Sequence, residues 1–344
     1  MKVLHVLQSD SYSGAENVVC QIISLLESDE LHFVYASTDG EIRRVLFERG
    51  ISHNLMRRFR LSELRRVIRE EKPDVIHAHD MRAGFYAALC CGSIPLVSHV
   101  HNNDFSSRGL SLKSLLYYFA ARKAKHIFWV SRAAYEGYCF HRSLGNKSTI
   151  LHNVIDPKAL EQKAELDGKN YAYDVVYLGR LTYPKHPERL LHVLELAGQR
   201  CPEMKAAIVG SGDLEPEIRQ AVESNPKLAH VTCLGFSENP YQLLRQAKVM
   251  VMTSRWEGLP MTALEAMALG VPVVSTPVDG LAEIIIEGVN GYLSQDDECL
   301  AGHLVSLCTD DEERERLSAG ARKTFDKIND LAAFKRVIQT AYEQ

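Results

Sequence analysis

Residues 249–275 read VMVMTSRWEGLPMTALEAMALGVPVVS, and this stretch decides the fold class. An apolar run ends at Thr253-Ser254, a polar turn follows from Arg255 to Gly258, Pro260 opens a helical stretch and Gly270 closes it. Val271, Val273 and Val274 then begin a second apolar run. Proline suits the first turn of a helix, where the N–H it lacks would have no intrahelical acceptor, and glycine suits the left-handed position past the last turn. A strand, a helix and a strand in so short a span form a βαβ unit, which places two parallel strands in one sheet.

The same alternation extends outward. VLHVL (3–7), HFVYA (32–36), DVIHAH (74–79), PLVSHV (95–100) and HIFWV (126–130) alternate with amphipathic stretches of helix length. After a polar pause across Asp156–Lys169, the pattern restarts with DVVYLG (174–179), KAAIVG (205–210) and VTCLG (231–235) before reaching the stretch quoted above. From about Glu298 to Gln344 the pattern is helical, with Asp310 and Asp311 in a cap region. A chain of 344 residues, 46% hydrophobic, can fill two cores. The expected class is α/β, with two Rossmann-like doubly wound domains at 1–165 and 166–327, a C-terminal helix at about 328–344 completing the first, and Asp156–Lys169 as a hinge. Such sheets bind ligands at the carboxyl ends of their strands, so function is expected in a cleft that both domains face.

A net charge of -4 argues against nucleic acid as a partner. Residues 1–165 nevertheless carry +4 and residues 166–344 carry -8, and positive charge is densest from Arg43 to Lys72, where Arg57, Arg58 and Arg60 flank Phe59. A solvated surface and a patch for anionic lipid or a phosphorylated substrate both fit that run. The eight cysteines form no C-x-x-C, which points to reduced thiols rather than disulfides or a zinc knuckle. No apolar run approaches the ~20 residues of a membrane helix, and the first residues are strand-like, so a cytoplasmic chain is expected.

Four junctions offer chemistry. Ser13-Gly14-Ala15-Glu16 has capping-box spacing, and Gly14 leaves backbone N–H groups open at a positive helix end, although a tight turn explains it equally. Arg180 and Lys185, between an apolar run and a helical stretch, suit a diphosphate leaving group that gains charge. Gly210-Ser211-Gly212 lacks the third glycine of a dinucleotide fingerprint and is read as a close-approach loop. In the quoted stretch, Glu257 falls in the turn and Glu265 within the helix, among apolar residues where a carboxyl needs a hydrogen-bonding partner such as a sugar or ribose hydroxyl. In a continuous helix eight residues span about 12 Å. That exceeds the ~5–5.5 Å of a retaining glycosidase pair, so both are read as ligand holders.

The Glu-seven-residues-Glu element in SRWEGLPMTALEAMALGVPVVS, with GRLTYPK before it and SGAE near the start, resembles the family-4 glycosyltransferases, GT-B enzymes that retain anomeric configuration; HAHD, VHNND, WVS, NVID, GSGD, LGF and NGYL fall in the family's order. The resemblance implies transfer from a nucleoside-diphosphate sugar, UDP-sugar by default, to a lipid-linked oligosaccharide or glycan acceptor in surface polysaccharide or glycolipid synthesis. It assigns Gly14 and Ala15 to the donor phosphate and acceptor, Arg180 and Lys185 to the diphosphate, Glu257 and His101 to the sugar, and Glu265 to the ribose. Phe236 lies beside the base, with Gly210, Ser211, Gly212, Gly258, Leu259, Pro260, Met261 and Thr262 around the donor. Ser13, Glu16, His79, Asp80, Asn102, Asn103 and Asp104 are the expected acceptor side. No nucleophile, cofactor or metal is implied, because the leaving phosphate takes the acceptor's proton. The family's PVGG reads Pro277-Val278-Asp279-Gly280 here, which places Asp279 near the sugar.

Rival readings follow from other residues. His77 and His79, and His99 and His101, have H-x-H spacing, which puts each pair on one strand face and suits a metal-dependent hydrolase. A nucleotide-sugar epimerase of the same architecture and a non-catalytic nucleotide-sugar sensor would share the donor residues. In Ser111–Lys125, Leu112, Leu115, Leu116, Phe119 and Ala120 share a helical stripe ringed by basic residues, which reads either as core packing or, with 43–72, as a face peripheral to the inner side of an anionic membrane.

Overall fold

The computed structural model describes residues 1–102 and 105–343 and divides into two compact units. The first comprises Met1–Asn153 with Leu331–Gln344, and the second Val154–Asp330. In the first, β1 (Lys2–Val6), β2 (His32–Ala36), β3 (Val75–His79), β4 (Leu96–Val100), β5 (His126–Trp129) and β6 (Ser148–Ile150) form a parallel sheet in the order β2-β1-β3-β4-β5-β6. In the second, β7 (Val175–Leu178), β8 (Ala206–Val209), β9 (Val231–Gly235), β10 (Val249–Met252), β11 (Val273–Ser275) and β12 (Gly291–Leu293) run parallel in the order β12-β11-β10-β7-β8-β9. Central strands such as VVYL and VMVM are buried throughout, because helices cover both faces of such sheets. In each unit the strand order reverses once, beside β1 and β3 in the first and beside β7 and β10 in the second.

The quoted stretch forms β10, the helix Met261–Ala268 and β11, and Gly270 adopts φ 74° past the helix end. Pro260 sits one position before the first helical residue, as its N-cap. The polar pause is largely helical. Pro157–Leu166 is a helix whose N-cap Asp156 accepts from the Lys158 and Ala159 N–H groups, and it packs on the helix Tyr241–Gln246 of the second unit. The unit boundary therefore falls at Asn153 rather than at 165. Next to it, the Asn329 side chain bonds both the N–H and the carbonyl of Ile155, at 2.8 and 2.9 Å, so the strands of chain entering and leaving the second unit are tied together.

The C-terminal helix Leu331–Glu343 returns to the first unit and buries Phe334, Ile338, Ala341 and Tyr342. The Tyr342 hydroxyl lies 2.7 Å from His77 Nδ1, both fully enclosed. Losing a buried neutral hydrogen bond costs about 1–2 kcal/mol. Tyr342→Phe is therefore expected to lower the urea midpoint of the first unit without changing the slope of its transition, and an unchanged midpoint would show that the bond holds nothing.

Candidate functional site

Both candidate sites sit at the strand-order reversals, where crossover connections part and backbone groups face a ligand. In the second unit the loop after β7 carries Gly179, Arg180 and the short turn Tyr183–Lys185, and the loop after β10 carries Ser254 and Glu257. Lys185 Nζ donates to Glu257 Oε1 at 2.5 Å, and Ser254 Oγ donates to the same oxygen at 2.5 Å. Lys185 and Glu257 are largely shielded from water, so the structure joins two residues that the sequence reading assigned to separate tasks. Arg180 is exposed five residues before Lys185, and Arg255 lies over the Tyr183 ring, 4.3 Å from its centre.

Three further contacts hold this turn. The Arg255 N–H donates to Pro184 O at 2.8 Å, and the Thr253 hydroxyl to His186 O at 3.1 Å. The Glu257 N–H donates to Asp279 Oδ2 at 3.0 Å, and Asp279 adopts φ 41°, a left-handed conformation that favours glycine. Asp279 thus organises the Glu257 turn through its carboxylate. Gly210 and Gly212 serve close approach, as expected, but to the neighbouring loop: an added Cβ would lie 1.9 Å from Gly179 O and 2.3 Å from Leu181 O. Ser211 is exposed, and its carbonyl accepts from the Leu181 N–H at 2.9 Å.

Gly258, Leu259, Pro260 and Met261 are buried and Thr262 is half-buried at the start of the helix, whose first N–H groups have no intrahelical acceptor. Glu265 is buried one helix turn from the end, and Tyr241 donates to its Oε1 at 3.2 Å, so the protein itself supplies a partner for that carboxyl. Burial raises Glu265 to about 7, opposed by the Tyr241 bond and the Lys163 charge. Phe236 follows β9 and is exposed.

In the first unit, Ser13, Gly14, Ala15 and Glu16 join β1 to the helix Gly14–Leu26, and buried Glu16 accepts from the Ser13 N–H at 3.1 Å and hydroxyl at 2.6 Å. A Cβ on Gly14 would meet no protein atom within 4 Å, so the glycine is not demanded by packing. Glu16, His79 and Asp80 line a cavity of about 480 Å³, together with Asp10 and Arg82, which the sequence reading missed. Asp80 adopts φ 66° where β3 meets its helix, and its Oδ1 accepts from the His101 N–H at 2.9 Å. Asn102 is exposed; Asn103 and Asp104 lie outside the described residues.

The four H-x-H histidines come together with a fifth, His5, which pairs in register with His77 on β3, two positions from the His79–His99 pair of β3 and β4. Their rings lie at centroid distances from 4.1 to 5.6 Å, stacked or, as between His79 and His99, tilted. His5 Nδ1 lies 2.8 Å from His79 Nε2, and His79 Nδ1 lies 2.8 Å from His101 Nε2. Two groups of three, sharing His79, have ligand atoms within 4.8 Å of one another. Both His79 nitrogens lie within hydrogen-bond distance of imidazole partners, while His5 Nε2, His77 Nε2, His101 Nδ1 and both His99 nitrogens are buried with no hydrogen-bond partner. The arrangement is a buried, hydrogen-bonded pile of imidazoles.

Two doubly wound units, each with polar residues gathered at its reversal, define the GT-B class of sugar-transferring proteins. The family described as Glycosyltransferase Family 4 matches residues 12–159, and the one described as Glycosyl transferases group 1 matches 159–324. The chain belongs to the group 1, family-4 glycosyltransferases. An uncharacterized glycosyltransferase of Methanocaldococcus jannaschii is 28% identical over 77% of this chain and 73% of its own length. The UDP-Gal:alpha-D-GlcNAc-diphosphoundecaprenol alpha-1,3-galactosyltransferase of Escherichia coli is 23% identical over 96% of both chains. The crystal structure of Anabaena HepE in complex with UDP-glucose covers 100% of this chain and 99% of its own at TM-score 0.82 and 21% identity. Among the described residues, no helix is long and apolar enough to cross a membrane.

Burial drives the His5 imidazole down to about 3 and that of His101 to about 4, and holds His77, His79 and His99 well below the ordinary value of 6.5. The unfolded chain therefore takes up protons first as pH falls. This stabilisation is complete above 6.5 and is lost below it, by up to ~1.4 kcal/mol per pH unit for each imidazole. His99, with neither ring nitrogen partnered, is the cleanest probe. His99→Leu is expected to match or exceed the parent's melting temperature near neutral pH and to flatten its decline toward about pH 5. An equally steep decline would show that the pile does not set the acid sensitivity.

Proposed function

We propose that the chain is a retaining, metal-independent glycosyltransferase that moves a sugar from a UDP-sugar to a lipid-linked or glycan acceptor in surface polysaccharide or glycolipid synthesis, on the cytoplasmic side of the membrane. The observation that carries the reading is the shielded Lys185–Glu257 pair at the β7/β10 reversal, built from two loops that must both be in place for it to form. The printed functions of relatives support the donor and acceptor classes: one transfers from UDP-Gal to a diphosphoundecaprenol-linked sugar, and one is seen with UDP-glucose.

In this reading Arg180 and Lys185 bind the diphosphate, where their charge grows in value as the sugar–phosphate bond breaks. Glu257 uses Oε1 to hold Lys185 and accepts from a sugar hydroxyl through Oε2. Glu265 takes the ribose, and Phe236 lies beside the base. The bond from the anomeric carbon to phosphate oxygen breaks while the bond to the acceptor oxygen forms on the same face. The acceptor's proton passes to the departing phosphate, so no side chain need serve as nucleophile. Gly14 and Ala15 offer backbone N–H groups to phosphate and acceptor, and His101 contacts the donor sugar. Glu16, His79, Asp80 and Asn102 form the acceptor side, with no cofactor.

Removing one preorganised charge partner typically costs ~10²–10³ in turnover. Arg180→Ala and Lys185→Ala are each expected to lose at least about 10² in kcat with a UDP-sugar and acceptor, and near-parental turnover would overturn the diphosphate assignment. Product analysis by NMR is expected to show the donor's anomeric configuration retained. Inversion, or an altered sugar formed without acceptor, would contradict the proposal.

A further inference from the structure

Four of the five stripe residues on the helix Leu112–Lys123 face away from the core, and Ala120 packs inward. The helix buries Ser114, Tyr117, Ala120 and Ala121 and turns Leu112, Leu115, Leu116 and Phe119 outward, at 74, 51, 38 and 51% exposure. Leu110, just before it, is 81% exposed, so five of the large apolar side chains that reach solvent fall within ten residues. The inner face is settled by polar bonds as well as packing. Ser98 Oγ and the Tyr117 hydroxyl lie 2.9 Å apart, and the Tyr138 hydroxyl donates to Ser114 O at 2.7 Å. Rotating the stripe inward would break both, so its exposure is built into the fold.

Positive charge lies beside it. Within the basic run 43–72, Arg43 pairs with Asp39, Arg44 with Glu48, and Arg66 with Glu63 and Glu70. Arg57, Arg58 and Arg60 are exposed and, among the described residues, form no ion pair. Phe59, in their midst, touches Tyr86 at 5.0 Å between ring centres. Tyr86 then meets Phe85 at 6.2 Å, and Phe85 meets Phe119 at 6.3 Å. A file of rings thus connects the arginine loop to the apolar stripe across the helix Asp80–Cys90, whose Leu89 is exposed. A solvent-facing apolar patch of this extent marks an interaction site, and apolar side chains flanked by arginines match the boundary between lipid headgroups and acyl chains.

We propose that this face of the first unit docks on a bilayer containing anionic lipid, with Leu110, Leu112, Leu115 and Leu116 entering the interface and Arg57, Arg58 and Arg60 meeting headgroup phosphates. It rests on the lipid-linked acceptor reading for its purpose, and needs none of the donor chemistry for its test. The arginine term is screened by salt and the leucine term is not.

The test is flotation of the full chain with vesicles of phosphatidylcholine alone or mixed with phosphatidylglycerol, in low and high salt. The parent is expected to float with the anionic vesicles and about tenfold less with neutral ones. Leu112→Glu with Leu115→Glu is expected to abolish flotation. Replacing Arg57, Arg58 and Arg60 by Ser is expected to leave weak, salt-insensitive binding. Unaltered melting curves and an unaltered stabilisation by UDP would show that the variants remain folded and donor-competent. No flotation of the parent in low salt, or flotation of the leucine variant equal to the parent's, would overturn the proposal. So would a parent dimer in light scattering that the leucine variant dissolves, which would assign the face to a second copy. Loss of UDP stabilisation with flotation intact would count against the donor reading alone.

Discussion

The shielded contact between Lys185 and Glu257 is the constraint on which the second unit's site depends. Taking two charges out of water is costly, and their attraction recovers that cost only with good geometry and further hydrogen bonds. Those bonds are present: Ser254 shares the accepting oxygen, and Asp279 takes the Glu257 N–H. The pair can form only if the loops after β7, β8, β10 and β11 crowd one another, and glycine makes this possible. A side chain on Gly210, Gly212 or Gly280 would lie within 2.3 Å of a carbonyl in the adjacent loop. Asp279 pays for its left-handed backbone through its carboxylate contact.

The first unit is organised by a different economy of polar groups. Neutral imidazoles on β1, β3 and β4 occupy core positions that aliphatic side chains fill elsewhere, and they satisfy part of their hydrogen-bonding capacity on one another. The chain from His5 through His79 reaches His101 at the mouth of β4, while Asp80 fixes the His101 backbone. His79 must donate through one nitrogen and accept through the other, so the ring orientation at the cavity is tied to residues deep in the sheet.

Much of this was legible in the sequence because parallel strands buried on both faces write themselves as apolar runs. Ten of the twelve strands fall on such runs. The other two, β6 and β12, are three-residue edge strands, partly exposed and too short to show a period. The helix Pro157–Leu166 was masked by its polar surface, although Asp156-Pro157 is a cap followed by a first-turn proline. At the site, residue types and spacing singled out Lys185, Glu257 and Glu265 but not the Lys185–Glu257 bond, which depends on β7 and β10 being neighbours, nor the bond from Tyr241 to Glu265. His5 lacked the H-x-H spacing of its partners and became visible only through strand register. The helix Leu112–Lys123 shows the limit of periodicity: a stripe tells which residues share a face, and only the neighbours decide which face is buried.

The central claim, that the residues gathered at the β7/β10 reversal hold the diphosphate of a UDP-sugar without a metal, is tested most directly by ligand-dependent melting of the full chain. UDP, GDP, ADP and their common sugars would be compared with EDTA in every sample. A ligand that binds only the folded state raises stability by about 2.7 kcal/mol at a hundredfold excess over its Kd. The account predicts a selective rise with UDP and UDP-sugars that survives EDTA. No rise with any nucleotide, accompanied by destabilisation from EDTA alone, would contradict it and return attention to the histidines as metal ligands.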